Sequence, residues 1–186
     1  MTTTVEPSTA TASALRNLYL VRFGFAVVWA VLLFLTAATV GPVSATLLVL
    51  YPLFDVAAAV VDLRASKAAR PAVGLRVNVV LSLLAAVGLG VAVTSGIPAV
   101  LRVWGAWAIT AGLVQLVVAV RRRGLGGQWA MILSGGISVL AGGGFVMMAG
   151  GPDAALTPLA GYATLGGIFF LVSALRLHRV VQGAAR

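Results

Sequence analysis

The sequence predicts an all-α polytopic membrane protein: six transmembrane helices laid out as three tandem two-helix hairpin repeats. Composition is the first reason. The 186 residues are 61% hydrophobic, with a mean hydropathy of +1.08 and only 9% charged residues, whereas a soluble domain carries about 25%. The second is the set of apolar runs at 18–40, 45–63, 73–94, 99–120, 129–149 and 156–175, each near the ~20 residues a helix needs to cross hydrocarbon. The third is that the junctions between runs alternate between tight Gly/Pro turns and basic segments.

Taken in order, residues 1–16 open with MTTTVEPSTATASA, a polar, Thr/Ser-rich stretch without periodicity. It reads as a disordered cytoplasmic tail ahead of a membrane domain at 17–180, with a second short tail at 181–186. Val43-Ser44-Ala45 resembles a signal-peptidase site, but the apolar run before it exceeds the ~7–15 residues of a signal h-region, so the first run is kept as a span. It closes at Gly41-Pro42. The second runs to Arg64, followed by Lys67 and Arg70. The third, entered past Arg76 and Asn78, closes at Gly96-Ile97-Pro98, and the fourth ends on Arg121-Arg122-Arg123. The fifth closes at Gly151-Pro152 and the sixth exits through Arg176 and Arg179.

Of the thirteen basic residues, all but Arg102 fall on one side of this layout. The positive-inside rule then places both termini and the basic loops in the cytoplasm. The excess of Arg over the single Lys67 fits a GC-rich bacterial genome and hence a bacterial inner membrane. The net charge of +9 does not indicate nucleic acid, because the cations cap apolar runs instead of sharing a soluble face. The expected partner is the lipid bilayer, together with a second copy or another membrane protein. With no cysteine, disulfides and thiolate metal sites are excluded.

The hairpins, at about 17–66, 72–123 and 128–179, repeat in register. Pro42, Pro98 and Pro152 recur at intervals of about 55 residues, and so do Tyr51, Trp107 and Tyr162, and Arg64, Arg121 and Arg176. Small residues four apart (Ala26/Ala30, Ser82/Ala86, Ser138/Gly142) recur at the same interval. Such stripes let helix backbones approach closely in lipid. Further stripes are Gly90 beyond Ala86, Ser134 before Ser138, the pair Gly105/Gly112, and Ala163/Gly167/Ala174.

On these residues, and on the segments YPLFDVAAAVVDLR (51–64), WGAWAITAGLVQLVVAVRRR (104–123) and GYATLGGIFFLVSALRLHR (161–179), the chain resembles the HdeD-like acid-resistance membrane protein family over residues 17–180. Val56, where the pattern has a small residue, and Pro52, inside the second helix, depart from it. The resemblance implies a non-enzymatic role in acid tolerance and assigns no substrate, cofactor or catalytic residue.

Nothing in the sequence composes an enzyme site. His178 is the single histidine, so no His cluster can hold zinc. The glycines at 142–144 lie inside a span, not after a strand. Four acids exist: Glu6, Asp55, Asp62 and Asp153. No cofactor is expected.

The candidate functional residues are therefore the polar groups within the spans: Asp55, Asp62, Arg22, Arg76 and Asn78. Asp62, near the end of its span beside Arg64, reads as an interfacial ion pair or a solvated group. Arg22 and Arg76 sit about one turn inside their spans, where their long stems can snorkel to the headgroups. Asp55 is different. Eight residues from Leu63, it lies ~12 Å from the membrane boundary, too deep for an aspartate to reach water. An acid at that depth costs about 2.5–3.5 kcal/mol to insert, so it must face the bundle interior and find a partner there or stay protonated. Asn78, Arg76 and Arg22 approach from a reachable depth; Arg102 enters from the far side. Either Asp55 fixes helix register through hydrogen bonds, or burial disfavours its charge enough to make it a proton-sensitive element. As an alternative function, a small transporter or channel subunit would use Asp55 with Arg76 or Arg22. The scarcity of intramembrane polar groups and the parallel rather than inverted repeats weigh against transport; a polar cavity reaching Asp55 would weigh for it.

Overall fold

The computed structural model describes residues 9–65, 73–121 and 129–183. They form six α-helices: α1 (Thr9–Thr36), α2 (Pro42–Ala65), α3 (Val73–Ala92), α4 (Ile97–Arg121), α5 (Trp129–Met148) and α6 (Thr157–Gly183). All six are long and apolar enough to cross a membrane, and no strand occurs among the described residues. The chain is an all-α, multi-pass membrane protein. Lys67, Arg70, Arg122, Arg123, Arg186 and Glu6, with the remainder of 1–8, 66–72, 122–128 and 184–186, lie outside the described residues.

Two boundaries differ from the sequence expectation. Residues 9–16, expected in a disordered tail, are the opening turns of α1, because Ala12 and Leu15 share a buried face there. At the other end of the chain α6 extends to Gly183, and Arg16 Nη1 lies 3.3 Å from His178 Nδ1 across α1 and α6. Residues 181–183, assigned to the second tail, are accordingly helical. Pro52 was the place where a helix could break, yet α2 runs through it. The proline ring removes a donor from the ladder at this turn, and the nearby Leu47 carbonyl accepts the indole N–H of Trp29 at 2.7 Å.

The tight turns obey local chemistry. Between α1 and α2 the Ser44 hydroxyl accepts from the Gly41 N–H at 2.9 Å and donates to the Thr39 carbonyl at 2.9 Å. Between α3 and α4 a short 3-10 turn at Val93–Ser95 ends on Gly96, whose φ of +88° is favourable only for glycine.

Consecutive helices are neighbours, and α6 returns to pack along α1, closing a ring. The packing is uneven. The intimate pairs are α4 with α5 and α1 with α6, whereas α5 and α6, expected to form a packed hairpin, barely touch. Glycines decide where the helices close. A Cβ on Gly105 would stand 2.6 Å from the Gly142 carbonyl oxygen, and one on Gly112 would stand 2.8 Å from that of Gly135. On the other close pair, a Cβ on Gly167 would stand 3.2 Å from the Ala26 methyl. Gly90, by contrast, has nothing within 4 Å, so the third-span stripe is buried only at Ser82 and Ala86.

The ends and the middle are built differently. In the half of the ring away from Arg16, Arg64, Arg121 and Arg176, a core of Trp29, Leu33, Leu48, Leu101, Trp104 and Leu159 is almost wholly buried. Trp29 and Trp104 stack at 5.4 Å, and Tyr51 meets both rings. The half that carries the arginines is not filled in this way.

Gly105→Ala should weaken the fold by about 1–3 kcal/mol, since the added methyl has to push two backbones apart. Gly90→Ala, with open space around it, should show no loss. Denaturant unfolding of the two variants in the same micelle checks the difference.

Candidate functional site

Seen from α2, the polar stripe follows helical spacing. Tyr51, Asp55 and Asp62 lie four and then seven residues apart, on one face, and that face points into the ring. Asp55 is 8% exposed and Asp62 6%. The expectation for Asp62 is corrected on this point: it is buried rather than solvated, because it follows Asp55 around the same stripe, while Arg64 turns outward and is exposed.

Asp55 is met from three directions. Arg22 on α1 donates an ion-paired N–H to Asp55 Oδ1. On α3, Asn78 Nδ2 donates to Oδ2 at 2.6 Å, and the Ser82 hydroxyl donates to the same oxygen at 2.8 Å. Trp107 on α4 extends the network, its indole N–H reaching Ser82 Oγ at 3.3 Å. One carboxylate thus ties four helices together. The guanidinium of Arg22 lies 4.1 Å from the centroid of the Phe170 ring on α6, a cation–π contact that brings in a fifth.

Among the sequence candidates, the structure brings Arg22, Asp55 and Asn78 together and leaves Arg76 exposed on the outer side of α3. Arg22 does not snorkel. With its side chain only 15% exposed, it turns inward because Asp55 and the face of Phe170 offer charge and contact that lipid does not. Ser82 was legible only as a small residue suited to close packing. Its hydroxyl could not be read from spacing, since it depends on which turn of α3 faces Asp55.

Beside this network lies a cavity of about 400 Å³ with walls from all six helices. Its deep end is at mid-membrane, against Tyr51, Trp107 and Tyr162, the aromatics that recur at one interval in the sequence. From there it runs toward the basic end past Asp55, Asn78, Gln115 and Asp62. The far wall is small or apolar: Ala108, Ala111 and Gly112 on α4, Ser134 and Ile137 on α5, and Leu165 and Gly166 on α6. The α5–α6 seam is pinned at the deep end, where Tyr162 Oη and Ser138 Oγ are 2.9 Å apart and Phe145 packs edge-on to Tyr162 at 5.7 Å. Nearer the basic end both helices face the cavity instead of each other.

No group of three His, Cys, Asp or Glu side chains converges among the described residues. What the site offers is a polar floor with one cation and one anion in contact, partly aromatic walls and room for a small molecule. No family model matches the chain, and no curated protein or solved structure is similar to it. Fold and site define a multi-pass membrane protein with a largely apolar cavity whose floor is polar.

Removing one member of this buried pair should be costly. Asp55→Ala strands the Arg22 charge and should destabilise by about 3–5 kcal/mol, whereas Ser82→Ala removes one hydrogen bond and should cost about 1 kcal/mol. Adding Arg22→Gln to Asp55→Ala should recover part of the loss, a coupling that a double-mutant cycle in micelles measures directly.

Proposed function

We propose that the protein is a small solute-binding carrier of the bacterial inner membrane, loading its cavity from the cytoplasmic side. The observation that carries this reading is the cavity itself: about 400 Å³, reaching mid-membrane, with a charged pair on its floor. Ligand sites in membrane carriers lie near the midplane, where irregular or polar groups can be shielded from lipid. The basic residues at the ends of α2, α4 and α6 support a cytoplasmic mouth for the cavity by the positive-inside rule. The Trp29/Trp104 core closes the other half, so a solute bound beside Asp55 leaves by the way it came unless that core opens.

The ion pair also supports a second reading, the proton-sensitive role in acid tolerance that the HdeD-like resemblance implies. Protonating Asp55 would remove the charge that holds Arg22 and loosen the junction of α1, α2 and α3. The two readings are compatible, since both act through the same carboxylate.

The chain contains no cysteine, so single cysteines can be introduced without a background. Ala111→Cys, Gln115→Cys and Ser134→Cys should react with a membrane-impermeant thiol reagent in inside-out vesicles and resist it in right-side-out ones. Leu101→Cys and Leu159→Cys, in the packed half, should resist it from both sides. Equal protection of both sets would remove the cavity reading, and labelling from the opposite face would reverse the topology.

A further inference from the structure

We infer that the cavity takes a small organic carboxylate, bound by Arg22 together with one proton on Asp55. The inference rests on the solute-binding reading above and names the class of solute.

The reasoning begins with the donors of Arg22. A guanidinium has five N–H groups. Among the described residues, Arg22 gives a single nitrogen to Asp55 and lays its plane against Phe170. The other nitrogens have no acceptor there, on a side chain that is 15% exposed and lines the cavity. Where they face the cavity these N–H groups can take an oxygen acceptor from a ligand, and the planar fork of arginine fits a carboxylate with two parallel bonds. Asp55 is held differently. Both of its oxygens are engaged, and Asn78 and Ser82 would keep it in place if Arg22 turned away. Arg22 is therefore the partner with N–H groups to offer a ligand in the cavity.

Charge balance supplies the proton. Arg22 and Asp55 are together neutral. A carboxylate added alone would leave an uncompensated negative charge in a low-dielectric site, which is strongly unfavourable. If a proton from water at the basic end bonds to an Asp55 oxygen, the carboxyl becomes neutral. Arg22 then exchanges its Asp55 contact for the ligand's carboxylate, and the net charge of the site is what it was before ligand and proton entered. No covalent bond to the ligand forms or breaks; when the ligand leaves, the proton leaves Asp55 with it. The titratable and charged groups facing Asp55 are Arg22 from α1, Tyr51 and Asp62 from its own helix and Tyr162 from α6, with Tyr19 across the cavity. The facing polar groups of α3 and α4, namely Asn78, Ser82 and Trp107, do not titrate, nor do Ser134 and Ser138 on α5. The walls select the rest of the ligand. Tyr51, Trp107 and Phe170 surround the charged pair with aromatic faces suited to a flat apolar body.

Sodium benzoate is a suitable probe, with benzamide as its neutral and benzamidine as its cationic counterpart. Calorimetric titration of the full-length protein in micelles, in two buffers of different ionisation heat, reads affinity and proton uptake together. Benzoate should bind with uptake of one proton, its affinity rising roughly tenfold for each unit fall in pH over the range where Asp55 is ionised in the free protein. Benzamide and benzamidine should bind on the order of tenfold more weakly or not at all. Asp55→Asn, which mimics the protonated acid and can still pair with its α3 neighbours, should bind benzoate without proton uptake and without the pH dependence. A preference for benzamidine, benzoate binding without a proton, or no benzoate binding would overturn the inference, and so would proton uptake persisting in Asp55→Asn. If the Asn variant does not fold, the two-buffer comparison on the unmodified protein decides alone. Cavity cysteines that label while benzoate does not bind would reject the carboxylate and leave the solute-binding reading in place.

Discussion

A carboxylate buried at mid-membrane has to be satisfied, and the ring is arranged around that requirement. Deep in the bilayer, the oxygens of Asp55 need donors that lipid cannot give. Arg22, Asn78 and Ser82 supply them from α1 and α3, so the position of one side chain sets the register of two neighbouring helices against α2. Trp107 adds α4 through Ser82, and Phe170 adds α6 through Arg22. In water such a network would be one contribution among many. In a bilayer, where apolar surface gains little from burial against other helices, directional polar contacts and close packing carry association.

The network also explains why Arg22 and Arg76, which look alike in sequence, behave differently. Both enter their helices about a turn from the basic end. Arg22 lies on the face of α1 that looks across the ring at α2, with Phe170 behind it. Arg76 is two residues from Asn78 on α3, and residues two apart on a helix point in widely different directions. Once Asn78 is committed to Asp55, Arg76 is turned outward. The geometry of one residue decides that of the other.

The membrane class, the six spans and the polar candidates were legible because they depend on local quantities: run length, charge at the ends of runs, and depth counted along a helix. The depth of Asp55 pointed to Arg22, Arg76 and Asn78 as reachable partners; Arg22 and Asn78 are there, and Arg76 is exposed elsewhere. The rest depended on which helices close upon each other. Sequence grouped α5 with α6 because a short turn joins them, whereas the structure packs α5 on α4 and α6 on α1. Gly135 illustrates the limit. It faces Gly112 across the α4–α5 contact, while the adjacent Gly136 has nothing within 4 Å. Only the rotation of the helix separates the two, and neighbouring identical residues carry no sign of it. The start of α1 at Thr9 was hidden for a similar reason, since the burial of Ala12 and Leu15 is a matter of packing between helices.

The cavity follows from the same side-chain volumes that close the other half. Six helices in a ring leave a central space that side chains must fill. In the half away from the basic ends, Trp29, Trp104 and Leu33, with Leu101 and Leu159, fill it to the density of a core. In the basic half the inward positions on α4, α5 and α6 include Ala108, Ala111, Gly112, Ser134, Gly166 and Ser173, small residues that leave space between larger neighbours such as Gln115, Met131 and Phe169. Glycine contacts hold α4 to α5, and Gly167 sits against Ala26 where α6 meets α1. Each intimate pairing draws a helix away from the α5–α6 seam, so the ring cannot shrink to close the gap. Asp55 then prevents the remaining collapse from the α2 side, because moving it deeper among apolar groups would strip away the donors it needs. Small residues on one wall and an obligatory polar cluster on the other make the space persistent, and its polar floor makes it a site rather than a packing defect.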